Sequence, residues 1–239
     1  MPLDVRPARP VARPLPISAV LFDLDGTLAD SAGDLAYALN RIRSERGLPP
    51  LPVEALRPHA SAGARGLLGA GIGVTPEDAD YRGLRDRFLE YYAAGLDQTT
   101  RLFDGIATLL DALDARALRW GIVTNKVERY TQPVVHALGL APRAAAIVSG
   151  DTTAHPKPHP APLLHAAALL NVDAARCVYV GDDLRDIIAG NAAGMATIVA
   201  EYGYLGEDGC ADGWPATGWI AEPLALLDWL PKLTLEPAQ

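Results

Sequence analysis

The stretch LFDLDGTLADS spans residues 21–31 and follows a short, mostly apolar run at residues 17–20. An apolar run that ends at a turn dipeptide such as Asp-Gly is typical of a buried strand. Asp23 and Asp25 stand two positions apart at the end of this predicted strand, a spacing that places both side chains on one face. Two carboxylates so close together repel each other. The stretch therefore predicts an opening strand with a functional site at its end.

Short apolar runs alternate with helical patterns from Gly105 onward. The predicted strands are residues 120–123, 146–148, 177–180 and 196–199, and the predicted helices are residues 106–117, 127–138, 162–170 and 187–193. Continuous apolar strands separated by helices indicate a parallel sheet covered on both faces, and the opening strand belongs to it. We predict an α/β fold, a Rossmann-like, doubly wound parallel sheet.

Residues 32–100 interrupt this rhythm with helical patterns. Asp30 and Ser31 are predicted to cap a first helix, and Gly47 to end it. Residues 49–100 continue with helical spacing and contain no convincing strand. We therefore predict an inserted, all-helical cap at residues 32–100 between the two parts of the α/β core, residues 17–31 and 101–239.

The two ends of the chain differ in composition from the core. Residues 1–16, MPLDVRPARPVARPLP, are rich in proline and arginine and predict a disordered leader. Residues 203–219 predict a loop, and residues 223–230 a last short helix.

Composition excludes several classes of partner. The 239 residues are 49% hydrophobic, which is enough for a sizeable core, and the formal charge is −8. There is no run of Lys and Arg, so we expect no nucleic-acid partner. No apolar run approaches the roughly 20 residues of a membrane span. The two cysteines are too few for a disulfide framework and lack metal-ligand spacing, which suits a reducing cytosol. We therefore expect a soluble, cytoplasmic protein, and the sequence does not indicate its oligomeric state.

Reactive side chains lie at or near the carboxyl ends of four predicted strands. In open parallel sheets, ligands bind outside the carboxyl ends of the strands. The chain places there a group of carboxylates, a hydroxyl, an amide and lysines: Asp23, Asp25, Thr124, Asn125, Lys126, Lys157, Asp182, Asp183 and Asp186.

This set of groups predicts phosphoryl chemistry. Clustered carboxylates are costly without a cation, and hard oxygen ligands favour Mg²⁺. A lysine and a hydroxyl beside such an ion form a site for the oxygens of a phosphoryl group. One carboxylate can attack phosphorus to give an aspartyl-phosphate. A second acid can protonate the leaving oxygen and then take a proton from water.

Four motifs in this order resemble those of the haloacid dehalogenase-like phosphohydrolases. They are DLDGT at residues 23–27, GIVTNK at 121–126, KPHP at 157–160 and GDDLRD at 181–186. The resemblance extends from residue 17 to about residue 204 and includes a helical cap after the first motif. It implies a phosphatase of this family.

The resemblance also implies roles for the acidic residues. Asp23 would be the nucleophile and Asp25 the general acid and base. Asp25 also separates phosphatases from the dehalogenases of this fold, which lack the second acid. The metal would be held by the Asp23 carboxylate, the Asp25 backbone carbonyl and Asp182. Asp186 would contact these ligands or reach the metal through a water molecule. Asp183 stays ambiguous, because the family commonly has a small polar residue there.

Phosphate binding is implied for a second group of residues. Thr124, Asn125 and Lys157 would contact the phosphoryl group, and Lys157 would also ease charge repulsion at the nucleophile. Arg65 lies in the insert among small residues, where it is a candidate substrate contact or simply a surface arginine.

The substrate is expected to be a small phosphorylated metabolite chosen by the cap. Within the family the chain resembles the phosphoglycolate phosphatase branch. The segments SAGARGLL (61–68), WGIVTNKVERY (120–130), GDDLRDI (181–187) and EYGY (201–204) are similar to the bacterial N-acetylmuramic acid 6-phosphate phosphatases of cell-wall recycling. The resemblance favours that amino-sugar phosphate over phosphoglycolate, with a mutase as a less favoured alternative.

A non-enzymatic alternative is a phosphoacceptor receiver domain, which joins an acceptor aspartate, an acidic pair, a hydroxyl and a lysine on a similar sheet. In receivers the acidic pair precedes the acceptor, and no acid follows the acceptor two residues later. The order of motifs in this chain is the reverse, which favours the enzyme.

Overall fold

The computed structural model describes residues 17–96, 98–206 and 209–233, so the predicted leader lies outside the described residues. Its strands are β1 (Ala19–Phe22), β2 (Ala29–Asp30), β3 (Arg101–Leu102), β4 (Arg119–Val123), β5 (Ala146–Val148), β6 (Cys177–Gly181), β7 (Ala196–Ala200) and β8 (Gly218–Ile220). Its α-helices are α1 (Ala32–Glu45), α2 (Val53–Leu56), α3 (Gly63–Ile72), α4 (Tyr81–Ala94), α5 (Ile106–Ala115), α6 (Glu128–Ala137), α7 (Ala161–Leu169), α8 (Leu184–Ala192) and α9 (Leu226–Trp229).

Six strands form one parallel sheet in the order β5, β4, β1, β6, β7, β8. Leu21 in β1 lies opposite Gly121 in β4 and Tyr179 in β6. The chain leaves β1 toward one neighbour and later returns on its other side, so the order reverses at β1. Such a reversal opens a crevice at the carboxyl ends of the strands, where ligands bind in open α/β sheets. The predicted doubly wound α/β fold is confirmed.

Apolar side chains on both faces hold the sheet in place. Phe22, Trp120 and Ile122 belong to a cluster on one face, while Leu21 and Tyr179 belong to a cluster on the other. All five are almost completely buried. Because both faces are covered, the strands are apolar throughout, and this is why they could be predicted from short apolar runs.

Two differences from the predicted elements have clear physical reasons. β8 lies partly in the predicted loop at residues 203–219, and its Gly218 packs so closely against Trp229 that a Cβ would come within 2.4 Å of the ring. Helix α8 begins at Leu184 rather than at residue 187. Its start is fixed by a capping box: the Asp183 side chain accepts a backbone N–H of the first turn, and the Asp186 side chain accepts the backbone N–H of Asp183.

The insert consists of helices α1 to α4 with a 3₁₀ segment at Arg57–Ala62. Leu39, Leu67 and Phe88 are buried in its own apolar cluster. Strands β2 and β3 pair in antiparallel fashion where the chain enters and leaves the insert. The insert is therefore joined to the core through a two-stranded ribbon that lies directly after the opening motif.

The predicted capping of α1 by the Ser31 side chain is wrong. Ser31 precedes the helix, but its side chain makes no capping hydrogen bond. Its hydroxyl donates instead to Asp25 Oδ1 at 2.5 Å, because the turn brings that carboxylate within reach.

Across the described part of the chain, none of the helices has both the length and the apolar character required to cross a bilayer.

Candidate active site

The carboxyl ends of β1, β4 and β6 open into a cavity of about 310 Å³ between the core and the insert. Asp23, Asp25 and Thr124 line it from the strand ends, and Ser61 and Tyr92 line it from the insert. The edge of the sheet on which the four motifs were expected to meet is therefore the floor of this cavity.

Asp23 and Lys157 form a buried ion pair at its base. The Lys157 ammonium lies 2.9 Å from Asp23 Oδ1 and 2.7 Å from Asp186 Oδ1. It also donates to Val123 O and to the Tyr179 hydroxyl. Burial alone would lower the pKa of Lys157, but the charges of Asp186 and Asp23 outweigh burial and raise it. Lys157 is therefore a fixed cation beside the predicted nucleophile.

Asp25 lies in a different set of contacts. Its two oxygens are 2.9 and 2.8 Å from the Lys126 ammonium, and Oδ1 also accepts the Ser31 hydroxyl. Lys126 is partly shielded by Tyr92 of the insert, whose ring centroid is 4.8 Å away. Asp23 and Asp25 therefore each have their own lysine, which reduces the repulsion that the sequence suggested.

Three carboxylates could hold a metal ion. Asp23, Asp182 and Asp186 each offer one oxygen, and these three oxygens lie within 4.8 Å of one another. Burial raises the pKa of Asp23 to about 7, although Lys157 acts in the opposite direction. Burial, together with the charges of Asp23 and Asp186, raises the pKa of Asp182 well above its usual range. A cation would relieve both effects.

A second observation points to the same ion. Asp23 Oδ1 is buried and, despite its ion pair with Lys157, has no partner with hydrogen-bond geometry among the described residues. Gly26 has a φ of +88°, and a Cβ there would come within 2.1 Å of Asp182 Oδ2. Glycine is thus required for the first motif to approach Asp182. The donors are all hard oxygens, so the residues present fit a divalent cation.

The carboxylates of Asp186 and Asp183 have different partners. Asp186 accepts Lys157 on Oδ1 and the Asp183 backbone N–H on Oδ2, so both of its oxygens have partners. Asp183 accepts the Arg185 backbone N–H at 2.8 Å and two contacts from the Arg185 guanidinium. Asp183 lines the cavity, but its carboxylate serves the helix start and Arg185.

Thr124 and Asn125 lie at the end of β4. Thr124 is 2% exposed and lines the cavity, and its hydroxyl accepts the Lys126 backbone N–H at 3.1 Å. Asn125 uses both ends of its side-chain amide on the backbone of Lys157, accepting its N–H and donating to its carbonyl, each at 2.9 Å. The Asn125 side chain therefore holds the backbone of Lys157 in place, and its contact with a phosphoryl group stays a prediction.

The insert reaches the acidic cluster through Ser61. Its hydroxyl donates to Asp182 Oδ2 at 3.0 Å, and its carbonyl accepts Arg185 at 2.7 Å. Asp182 also accepts the Thr27 hydroxyl at 2.8 Å and the Tyr204 backbone N–H at 3.0 Å. Arg65 lines the cavity and is exposed.

Several of these residues were given no role from the sequence. Lys126 was placed among the reactive side chains at the end of its strand, but its ion pair with Asp25 was not predicted. Ser61 and Tyr204 lie in the quoted segments SAGARGLL and EYGY, but no role was predicted for them, because they reach the site only through the packing of distant segments. Ser31 was assigned to a helix cap.

Comparisons with known proteins give the chain relatives along most of its length. The sequence profile of haloacid dehalogenase-like hydrolases matches residues 20–200. A protein of Xanthomonas campestris pv. campestris named phosphoglycolate phosphatase is 45% identical over 92% of this chain and 98% of its own length. A protein of Pseudomonas aeruginosa named N-acetylmuramic acid 6-phosphate phosphatase is 38% identical over 90% of this chain and 96% of its own length.

Solved structures show the same fold. A hydrolase of the haloacid dehalogenase-like family from Streptococcus pneumoniae superimposes with a TM-score of 0.76 at 20% identity, covering 89% of this chain and 98% of its own. The match of the profile across the core and the insert, the identity to two phosphatases and the geometry of the strand ends agree. The chain belongs to the haloacid dehalogenase-like hydrolases and is a phosphatase of that family.

Proposed function

We propose that the protein is a Mg²⁺-dependent phosphomonoesterase that acts through an aspartyl-phosphate on N-acetylmuramic acid 6-phosphate. The observation that carries the chemistry is the position of Asp23. Its carboxylate lies at the end of β1, at the base of a cavity, 2.9 Å from a buried lysine and beside Asp182. A carboxylate so placed can attack an incoming phosphorus atom while Lys157 faces the phosphoryl oxygens.

The proposed reaction has two halves. An Asp23 oxygen attacks phosphorus, the bond from phosphorus to the ester oxygen breaks, and the leaving alcohol takes a proton from Asp25. Water then attacks the phosphorus of the aspartyl-phosphate and gives its proton to Asp25, which releases phosphate and restores Asp23. The Ser31 hydroxyl and the Lys126 ammonium both donate to Asp25 and so hold its side chain in position for these proton transfers.

Other residues hold the reacting groups in place. Thr124 is proposed to donate its hydroxyl to the phosphoryl group, and Asn125 to fix the Lys157 backbone. Mg²⁺ would be held by the Asp23 carboxylate, the Asp25 backbone carbonyl and Asp182. When bound, it would supply positive charge opposite the phosphoryl oxygens.

The cavity supports the choice of an amino-sugar phosphate. Its volume of about 310 Å³ lies at the lower end of the range for small-molecule sites, about 300 to 1,000 Å³. Phosphoglycolate, with two carbon atoms, would leave much of it unfilled. Aromatic side chains of the insert and of α6, among them Phe88, Tyr92 and Tyr130, offer surfaces against which a sugar ring can pack.

Phosphoglycolate is the alternative substrate, favoured by the name of the 45% identical relative. The experiment that decides is a steady-state comparison of the two esters with Mg²⁺, expressed as kcat/KM. We expect the amino-sugar phosphate to give the higher value, and a higher value for phosphoglycolate would refute the choice. Continued turnover of either ester would also exclude a non-enzymatic phosphoacceptor domain, which would be phosphorylated once and would not turn over.

A further inference from the structure

We propose that Arg65, Arg85 and Arg129 bind a carboxylate on the leaving group, remote from the phosphate. The proposal rests on the proposed phosphomonoesterase and names what the substrate must carry. All three arginines line the cavity that contains Asp23. Arg65 comes from α3, Arg85 from α4 and Arg129 from the first turn of α6, so both the insert and the core contribute.

The charges in the cavity separate into two groups. Lys126, Lys157 and Arg185 each contact carboxylates of the cavity floor at 2.7 to 2.9 Å. The four acidic residues that line the cavity are all used in this way: Asp23, Asp25, Asp183 and Asp186.

Within the part of the chain that the structure describes, none of the three arginines forms an ion pair with a carboxylate of the cavity floor. The nearest carboxylate to Arg85 in an ion pair is Asp86, at 3.5 Å, and both of these side chains are about half exposed. Arg129 lies over the ring of Tyr130, with its guanidinium carbon 4.6 Å from the ring centroid. Among the residues that line the cavity, six cations therefore face four carboxylates, an excess of positive charge in a chain whose formal charge is −8. An excess that the protein's own acids do not balance favours an anionic ligand.

The phosphoryl group does not account for this excess. Lys157, Thr124 and the acidic cluster already provide its site at the ends of β1 and β4. Guanidinium groups pair with planar carboxylates through two parallel hydrogen bonds, which suits them to a second anionic group on the same ligand.

The cavity wall also offers a polar contact to the part of the ligand that lies between its phosphate and its carboxylate. Tyr92 is 2% exposed, and its hydroxyl has no hydrogen-bond partner among the described residues, since the nearby Lys126 ammonium does not meet the geometry. A buried hydroxyl without a partner is costly unless a ligand group satisfies it. The substrate class is therefore a phosphomonoester of a polar, sugar-sized alcohol that bears a carboxylate.

Two sugar phosphates that differ only in the carboxylate-bearing group test this directly. N-acetylmuramic acid 6-phosphate carries a lactyl ether, and N-acetylglucosamine 6-phosphate carries a hydroxyl at the same position. We expect wild type to prefer the first by about tenfold or more in kcat/KM, the order of one charge-assisted pair. Each of Arg65→Ala, Arg85→Ala and Arg129→Ala should lower that preference.

Arg82→Ala is the matched control, because Arg82 is an exposed arginine of α4 that does not line the cavity. It should keep the wild-type preference. Binding of N-acetylmuramic acid 6-phosphate to Asp23→Asn, with and without Arg65→Ala, gives a readout independent of turnover, and the second variant should bind more weakly.

Three outcomes separate the ideas. A wild type that turns over both sugar phosphates equally, or arginine variants that lose the same factor on both, would overturn the carboxylate site. Turnover of p-nitrophenyl phosphate but of neither sugar phosphate would also overturn it, while leaving the phosphomonoesterase in place. No turnover of any of the three esters with Mg²⁺ would overturn the proposed function itself.

Discussion

Replacing Lys157 with methionine should destabilise the protein strongly, and more so at alkaline than at acidic pH. Methionine keeps most of the length of the side chain but removes a cation that is 4% exposed. The change leaves Asp23 and Asp186 facing each other without their common partner, and it also removes a donor to Val123 O. Removal of one partner from a buried ion pair costs about 3 to 5 kcal/mol of the free energy of unfolding.

The pH dependence follows from Asp23. Its pKa in the folded protein is about 7, above the value of about 4 in an unfolded chain, and loss of Lys157 removes the influence that lowers it. A carboxyl whose folded pKa is raised loses stability as pH rises from the unfolded pKa through the folded one. At pH 5.5 the variant can take up a proton at this site, and at pH 8 it takes up less. The deficit should therefore be larger at pH 8.

Urea unfolding in metal-free buffer at the two pH values measures this. Lys232→Met, at an exposed lysine, should change the free energy of unfolding by no more than about 0.5 kcal/mol. Lys157→Met/Asp186→Asn should recover part of the loss, because one of the two facing charges is gone. A loss below about 1 kcal/mol for Lys157→Met at pH 8, or the same loss at both pH values, would refute the reasoning.

Four further predictions concern the reaction. Asp23→Asn should abolish turnover of a phosphomonoester while leaving the unfolding midpoint near that of wild type, and retained activity above a few per cent (~5%) would contradict the nucleophile. Asp25→Asn should lower kcat by about 10² to 10⁴ on an alkyl ester and less on p-nitrophenyl phosphate, whose leaving group needs little protonation; equal losses would contradict the acid. Ser61→Ala should lower kcat/KM by roughly three- to tenfold, because Asp182 loses one donor, whereas an unchanged value would separate the insert from the cluster. Chelation should stop turnover, and Mg²⁺ at about 100 times its Kd should then raise the free energy of unfolding by about 2.7 kcal/mol, an increase absent in Asp182→Asn.

The core could be predicted from sequence because its strands are buried on both faces. An apolar run such as residues 177–180 carries its own signal, and the helices between such runs complete the pattern. The pair β2 and β3 could not be predicted in this way. Each strand has two residues, and what makes them strands is their pairing across the whole insert, between Asp30 and Arg101. Local sequence does not contain that information.

The site divides in the same manner. Asp23, Thr124 and Lys157 could be expected to meet, since the carboxyl ends of parallel strands share one edge. The partners of Asp25 were not foreseen. The Ser31 side chain could bind either the backbone at the start of α1 or the Asp25 carboxylate, and the geometry of the turn determines that it binds Asp25. Asn125 shows the same limit, because its two hydrogen bonds to the Lys157 backbone join positions 32 residues apart and depend on the loop that carries Lys157.

Asp182 is where the insert and the reaction meet. Its carboxylate accepts hydrogen bonds from Thr27 in the opening motif, Ser61 in the insert and Tyr204 after β7, three segments that only the tertiary fold brings together. Tyr204 extends the connection, because its hydroxyl accepts the Ser31 backbone N–H at the entrance to the insert. Movement of the insert must therefore break or remake a hydrogen bond to a residue that fits a metal ligand. The insert, which is proposed to select the substrate, is thus hydrogen-bonded directly to a carboxylate that is proposed to hold the metal beside the nucleophile, so recognition and chemistry would be connected without an intervening residue.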